Sequence, residues 1–265
     1  MLFKDFNKNL PISGGFGQSV DEPIVITTPD PEDAALTQLE AARCIYGFNG
    51  RYWRFIERTA VPTDVGRIEK MSFEIKFIED DQVITETRNF YFDLSAVEFR
   101  NDGVLPNTNI PLGDRFGVRL PWQVGWFHFD RLIDNETDNP GLGMSVAYSA
   151  PEAKLMIFAY DKGQSQAIIA QPDESGVEEF NQSTRDFEVM HPNAEILREY
   201  DHLGVRFKTY DENNVFSVVL LAPFRDFFFK LRLTLDSANE AYMFECAWST
   251  VMAFASMVGN HDEKK

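Results

Sequence analysis

The apolar and polar positions of this chain fall into two patterns. Strict alternation marks half-buried strands, and recurrence every third or fourth residue marks amphipathic helices. The clearest alternation runs over residues 69–79, where Met71, Phe73, Ile75 and Phe77 interleave with Ser72, Glu74 and Lys76. With strands over 51–58 and 82–93, and Glu79-Asp80-Asp81 as a hairpin turn, this predicts a three-stranded meander. A helix is predicted ahead of it: Asp30 can cap it, Pro31 suits its first position, and Glu32 and Asp33 sit at the positive end of its dipole. Leu36, Leu39, Ala42, Ile45 and Tyr46 form its apolar side. Residues 1–28 read as an extended arm, with Gly14-Gly15-Phe16-Gly17 as its flexible point.

Gly103, Pro106, Asn107, Asn109, Pro111 and Gly113 mark residues 101–115 as a linker between a first region, 29–100, and a second, 116–265. The second region reads as strands near 117–122 and 125–133, a polar loop over 134–141, and a hairpin of 144–148 with 154–160. A helix over 176–198 follows, interrupted at Pro192, and then strands over 203–210, 214–222 and 227–234. In the last of these, Phe227, Phe229, Leu231 and Leu233 face one way, while Phe228, Lys230, Arg232 and Thr234 face the other. In the first, Leu203, Val205 and Phe207 oppose Arg206 and Lys208. As a meander these strands bring Arg206, Lys208, Lys230 and Arg232 onto one outer sheet face. Ser237-Ala238-Asn239-Glu240 is a capping box, and Phe244, Trp248, Val251, Ala255 and Val258 trace one face of a long C-terminal helix. The fold class expected is α+β, antiparallel sheets with packed helices.

Charge narrows the set of partners. The 265 residues carry 42 acidic and 25 basic side chains, a net charge of −17. Such a field repels nucleic acid and anionic membrane surfaces and favours a basic protein partner. The 2 cysteines, Cys44 and Cys246, both in apolar segments, read as buried thiols rather than a disulfide framework. With no long apolar run, a cytoplasmic protein is expected.

Candidate chemistry is sparse. The glycine run at 14–17 lacks the Gly-Lys-Ser/Thr ending of a phosphate loop. Gly143-Met144-Ser145-Val146-Ala147 lies inside an alternating strand, not at the strand-to-helix turn of a nucleophile elbow. Asp134, Glu136 and Asp138 have calcium-loop spacing, but Asn139 and Ser145 stand where glycine and glutamate are required, so no metal and no cofactor is expected. His128 and Asp130, two apart on one strand, are compatible with a histidine–carboxylate pair. The basic stripe of Arg206, Lys208, Lys230 and Arg232 is the other candidate binding feature, for a small anion or an acidic segment.

The order of elements from 117 to 258, with FFFKLRLT leading into the capped helix, resembles the MOG1/PsbP-like α/β/α sandwich. Residues 139–148 are similar to a stretch found in uncharacterised bacterial proteins. The resemblance implies a sandwich closed by the C-terminal helix and a binding or assembly role, and it assigns no residue a task. The expectation is a non-enzymatic protein-binding, accessory or immunity-type factor. The alternatives are a hydrolase-like enzyme using His128 and Asp130, and an anion-binding module using the basic sheet face.

Overall fold

The computed structural model describes residues 10–46, 52–64, 66–80, 82–99, 109–111, 115–202 and 205–236. The chain divides into two compact units, Met1–Asn109 and Ile110–Lys265. The architecture is α+β, rich in antiparallel sheet with few helices.

In the first unit, β1 (Ile12–Gly14), β2 (Ile24–Ile26), α1 (Pro31–Tyr46), β3 (Tyr52–Val61), β4 (Ile68–Glu79) and β5 (Gln82–Asp93) follow one another. The strands form a five-stranded sheet in the order β1-β2-β5-β4-β3. Its neighbours are antiparallel except β2 and β5. Residues 12–26, read from the sequence as part of an extended arm, make a hairpin on the sheet edge. At Gly14, φ is +81° and a Cβ would stand 2.5 Å from Val25 Cγ2, so the hairpin closes on itself only with glycine there. Asp30 caps α1, its Oδ1 accepting from the amides of Glu32 at 2.8 Å and Asp33 at 3.0 Å. Ala34, Ala35, Leu39, Ala41, Ala42 and Cys44 are buried, whereas Leu36, assigned to the apolar side, is exposed. Phe73 is the centre of the core, meeting Trp53, Phe55 and Phe90 edge-on at 5.6, 6.0 and 6.1 Å.

In the second unit the elements are β6 (Asn109–Pro111), β7 (Arg119–Pro121), β8 (Gln123–Val124), β9 (Phe127–Asp134), β10 (Met144–Ala150) and β11 (Ala153–Tyr160). Then come α2 (Ser165–Ala170), α3 (Pro172–Met190), β12 (Glu195–His202), β13 (Val205–Glu212), β14 (Val215–Phe224) and β15 (Phe227–Asp236). β6 pairs with β7, and the rest form an eight-stranded sheet in the order β12-β13-β14-β15-β11-β10-β9-β8. The helix expected over 176–198 begins earlier and ends sooner. Pro172 with Asp173 and Glu174 supplies its first turn. At the other end, a residue preceding proline is disfavoured in helical backbone, and the chain leaves the helix at His191, before Pro192. Residues 195–198 belong to a strand instead.

Phe227, Phe229, Leu231, Leu233 and Leu235 are all buried, as the alternation predicts. Phe227 touches Phe116, Phe224 and Phe229 at ring distances of 5.0, 5.5 and 5.1 Å. The opposite face of the same strands carries α2 and α3. Ile168 and Phe180 pack there on Tyr160, Leu221 and Phe228, and Phe187 packs on Tyr210 and Val219. The long helix expected over 237–258, with its capping serine Ser237, lies outside the described residues, as does Cys246.

Two substitutions separate the buried sheet from the surface. Leu231→Ala is expected to destabilise the second unit by about 2–5 kcal/mol in urea unfolding. Val189→Ala, at a position 81% exposed, is expected to change it by no more than about 0.5 kcal/mol.

Candidate functional site

The strand register sets Arg206 opposite Leu221 opposite Lys230, and Lys208 opposite Val219 opposite Arg232. These cations therefore share one sheet face, each row with an apolar residue at its centre. That face is not the outer surface expected from the sequence. It lies under α3, and the long cationic side chains run along apolar neighbours to reach carboxylates at the seam. Arg206 is buried and its Nε donates to Asp201 Oδ2 at 3.0 Å. Lys208 Nζ lies 3.6 Å from Glu188 and 3.7 Å from Glu199. Arg232 stands over the Phe187 ring at 5.3 Å and points Nη2 at His191 Nε2, 3.4 Å away. His191 in turn is held through Nδ1 by Glu212 at 2.7 Å and stacks on Phe187.

Lys230 is half-buried beside two aromatic rings. Its Nζ stands 5.2 Å from the Phe158 ring centre and 5.1 Å from that of Tyr160. Burial pushes its ammonium below the usual lysine range; the Glu179 carboxylate opposes this, while Lys162 and Arg232 add to it. Glu179 anchors the polar cluster beside it. It accepts from Tyr160 Oη at 2.7 Å, Lys162 Nζ at 2.6 Å and Ser183 Oγ at 3.2 Å. Burial, together with that carboxylate, drives the Tyr160 phenol well above its ordinary range.

Gly176 explains how the helix comes so close. A glycine inside a helix costs about 1 kcal/mol relative to alanine. A Cβ at Gly176 would meet Arg206 Nη1 at 2.8 Å and Pro223 at 3.4 Å. The bare backbone lets α3 lie over the guanidinium. The Arg206 Nη1 is fully enclosed there and has no hydrogen-bond partner among the described residues.

The other sequence candidates disperse. His128 is buried against Trp122, with ring centres 5.2 Å apart, while Asp130 is exposed. Opposite β10, Phe129 pairs with Tyr148 and Arg131 with Ala147, which leaves Asp130 as an extra bulge residue. The bulge breaks the alternation that would have set His128 and Asp130 side by side. Ser145 is buried within β10, and its Oγ accepts from Asn135 Nδ2 at 3.1 Å. Two carboxylates of the 134–138 loop, Asp134 and Glu136, are taken up by nearby backbone amides, and Glu136 also pairs with Arg115 at 2.9 Å. Asp134 accepts from the amides of Glu136 and Thr137, and Glu136 from those of Gly141 and Gly143. Among the described residues, no cluster of potential metal ligands forms. Burial would raise the Asp161 carboxyl, but donation from Ser165, the Gly163 amide and Arg115 outweighs it and holds the group below its ordinary value.

Several large apolar side chains stand at the surface near one end of the sheet. Val189 and Met190 at the end of α3, and Ile196, Leu197 and Tyr200 on β12, are all exposed. β12 is the outermost strand of the eight-stranded sheet. Sequence reasoning missed it because a strand exposed on both faces carries no alternation, and Glu195-Ile196-Leu197-Arg198 continues a helix-like composition. The available signal was Pro192, followed by Asn193. No protein-family model matches the chain, and no curated protein is significantly similar to it.

Two outcomes test the seam. Gly176→Ala is expected to destabilise by about 1–3 kcal/mol in urea unfolding, despite alanine's better helix propensity. Asp161→Asn is expected to destabilise at neutral pH by about 1–3 kcal/mol. The native carboxyl of Asp161 has a lowered pKa, so its contribution is present above the unfolded value, near 4, and is lost as pH falls through the native one. The gap between wild type and Asp161→Asn therefore closes in acid.

Proposed function

We propose that the chain is a non-enzymatic protein-binding factor of accessory type. The observation that carries this reading is the exposed apolar group of Val189, Met190, Ile196, Leu197 and Tyr200 on an edge strand and the adjoining helix end. Large apolar side chains left in water on both faces of an edge strand, and at the helix end that precedes it in the chain, favour a protein contact. Glu195, Glu199 and Asp201 are exposed beside them on β12, and the net charge of −17 favours a basic partner.

The alternatives draw less support. A hydrolase built on His128 and Asp130 needs the two to converge, and one is buried while the other is exposed at a bulge. An anion site on the sheet face needs its cations open; Arg206 and Lys208 already face Asp201, Glu188 and Glu199, and Lys230 and Arg232 stand against aromatic rings. The α/β/α sandwich closed by residues 237–258, and the MOG1/PsbP-like kinship it would imply, belong to the same proposal and are in keeping with a binding role.

The test is native mass spectrometry of the chain mixed with fractionated extract of its source cells, beside Val189→Asp and Leu197→Asp variants of unchanged circular dichroism. The expected result is a stoichiometric protein complex with wild type that both variants lose. A complex that both variants retain, or the absence of any complex in every fraction, contradicts the reading.

A further inference from the structure

We propose that β12 receives an extended, cation-bearing segment of the partner as an added strand, in line with the eight-stranded sheet. This rests on the reading of the chain as a protein-binding factor and specifies how it binds. The two ends of the sheet are built differently. β8, at one end, comprises Gln123–Val124, and Val124 is buried; an edge that short offers little ladder. β12, at the other end, runs from Glu195 to His202, and every side chain from Glu195 to Asp201 is exposed. A long edge strand whose side chains are exposed on both faces is the template that strand addition uses. The first unit's sheet has two edges, the three-residue β1 and β3, and β3 differs. Its Tyr52 and Trp53 are buried, and its Arg54 and Arg58 face Glu74 and Glu69 on the strand already paired with it.

The register on β13 fixes which side chains of β12 share a face. Ile196, Glu199 and Asp201 lie opposite Tyr210, Lys208 and Arg206, on the side of α3. Arg198 and Tyr200 lie on the other side, where Tyr200 stacks on Phe207 at 5.0 Å. The bulge at Leu197 interrupts the ladder, so the regular edge runs from Arg198 to His202. Glu199 and Asp201 each use one side on a β13 cation and keep 59% of the side chain exposed. A cation arriving from the open side would complete them, in the cross-strand positions where opposite charges are favourable. The fitting occupant is therefore an extended segment with Lys or Arg at alternate positions beside Glu199 and Asp201. Its intervening apolar residues lie beside Tyr200. A second copy of this chain fits less well, because it brings its own net charge of −17 and the same acidic strand.

The probe is a capped Lys-Val-Lys-Val-Lys-Val peptide, followed by residue-resolved amide hydrogen exchange on the full chain. Binding is expected to slow exchange of the outward amides of residues 198–201 by about tenfold or more, with the apolar core unchanged. Two controls should fail to protect them: the same peptide with proline at its central valine, which loses a ladder donor, and Glu-Val-Glu-Val-Glu-Val. Glu199→Lys should weaken binding at least tenfold, and added salt should weaken it as well. Protection elsewhere, equal protection by the proline or acidic peptide, or none at saturating peptide overturns the proposal. So does concentration-dependent protection of β12 without peptide, which would assign the edge to a second copy. A partner complex that forms while residues 198–201 exchange as in the free chain also overturns strand addition, yet leaves the protein-binding role standing.

Discussion

The second unit is organised by the burial of its central strands on both faces. β14, β15 and β11 place Leu220, Leu231 and Ile157 on one side and Leu221, Phe228 and Tyr160 on the other, all buried. Burial on both sides strips water from part of the basic row as well: Arg206 is buried, and Lys208, Lys230 and Arg232 are half-buried. Lys230, Arg232, Arg206 and Lys208 are tolerated because their stems lie on apolar surface and their heads meet rings or carboxylates at the seam. A buried charge of this kind is poor evidence of extra stability, since desolvation offsets much of the attraction. Its effect here is geometric: Glu179 meets Tyr160, Gly176 meets Arg206 and Pro223, and Phe187 meets Tyr210 and Arg232, which fixes where α3 lies.

That placement also shapes the surface. Because α3 ends at Met190 and the chain turns back into β12, the apolar end of the helix and the exposed edge strand are neighbours along the chain. Lys208 bridges Glu188 on α3 and Glu199 on β12, tying the edge to the buried seam. The edge is thus held by the interior, while among the described residues no strand pairs with its outward side and its side chains from Glu195 to Asp201 are exposed, as a docking strand requires.

Much of the sheet was legible in the sequence because alternation records one-sided burial directly. Residues 69–79 and 227–234 read as strands, and Asp30 read as a cap, from local chemistry alone. The destination of Lys230 and Arg232 was not legible. Alternation separates two faces but does not say whether the polar one is covered, and a long basic side chain suits either water or a helix seam. β12 escaped for the opposite reason, since a strand with neither face buried leaves no period to detect. The pairing of His128 with Asp130 failed on a single bulge residue, which shifts a face without leaving a composition signal. Gly176 could be seen as a helix defect, but its reason, the approach to Arg206, lies 30 residues further along the chain.

The central claim is that the basic face of the sheet is interior, and amine labelling reads it most directly. Lys154 on β11 is exposed, whereas Lys230 on the adjoining strand is enclosed between Phe158 and Tyr160 under α3. With a small acylating reagent on the native chain, Lys230 should modify at least roughly a hundredfold more slowly than Lys154, because it must await local opening. Equal labelling of the two lysines under native conditions would mean that the face is open to solvent and would contradict the account.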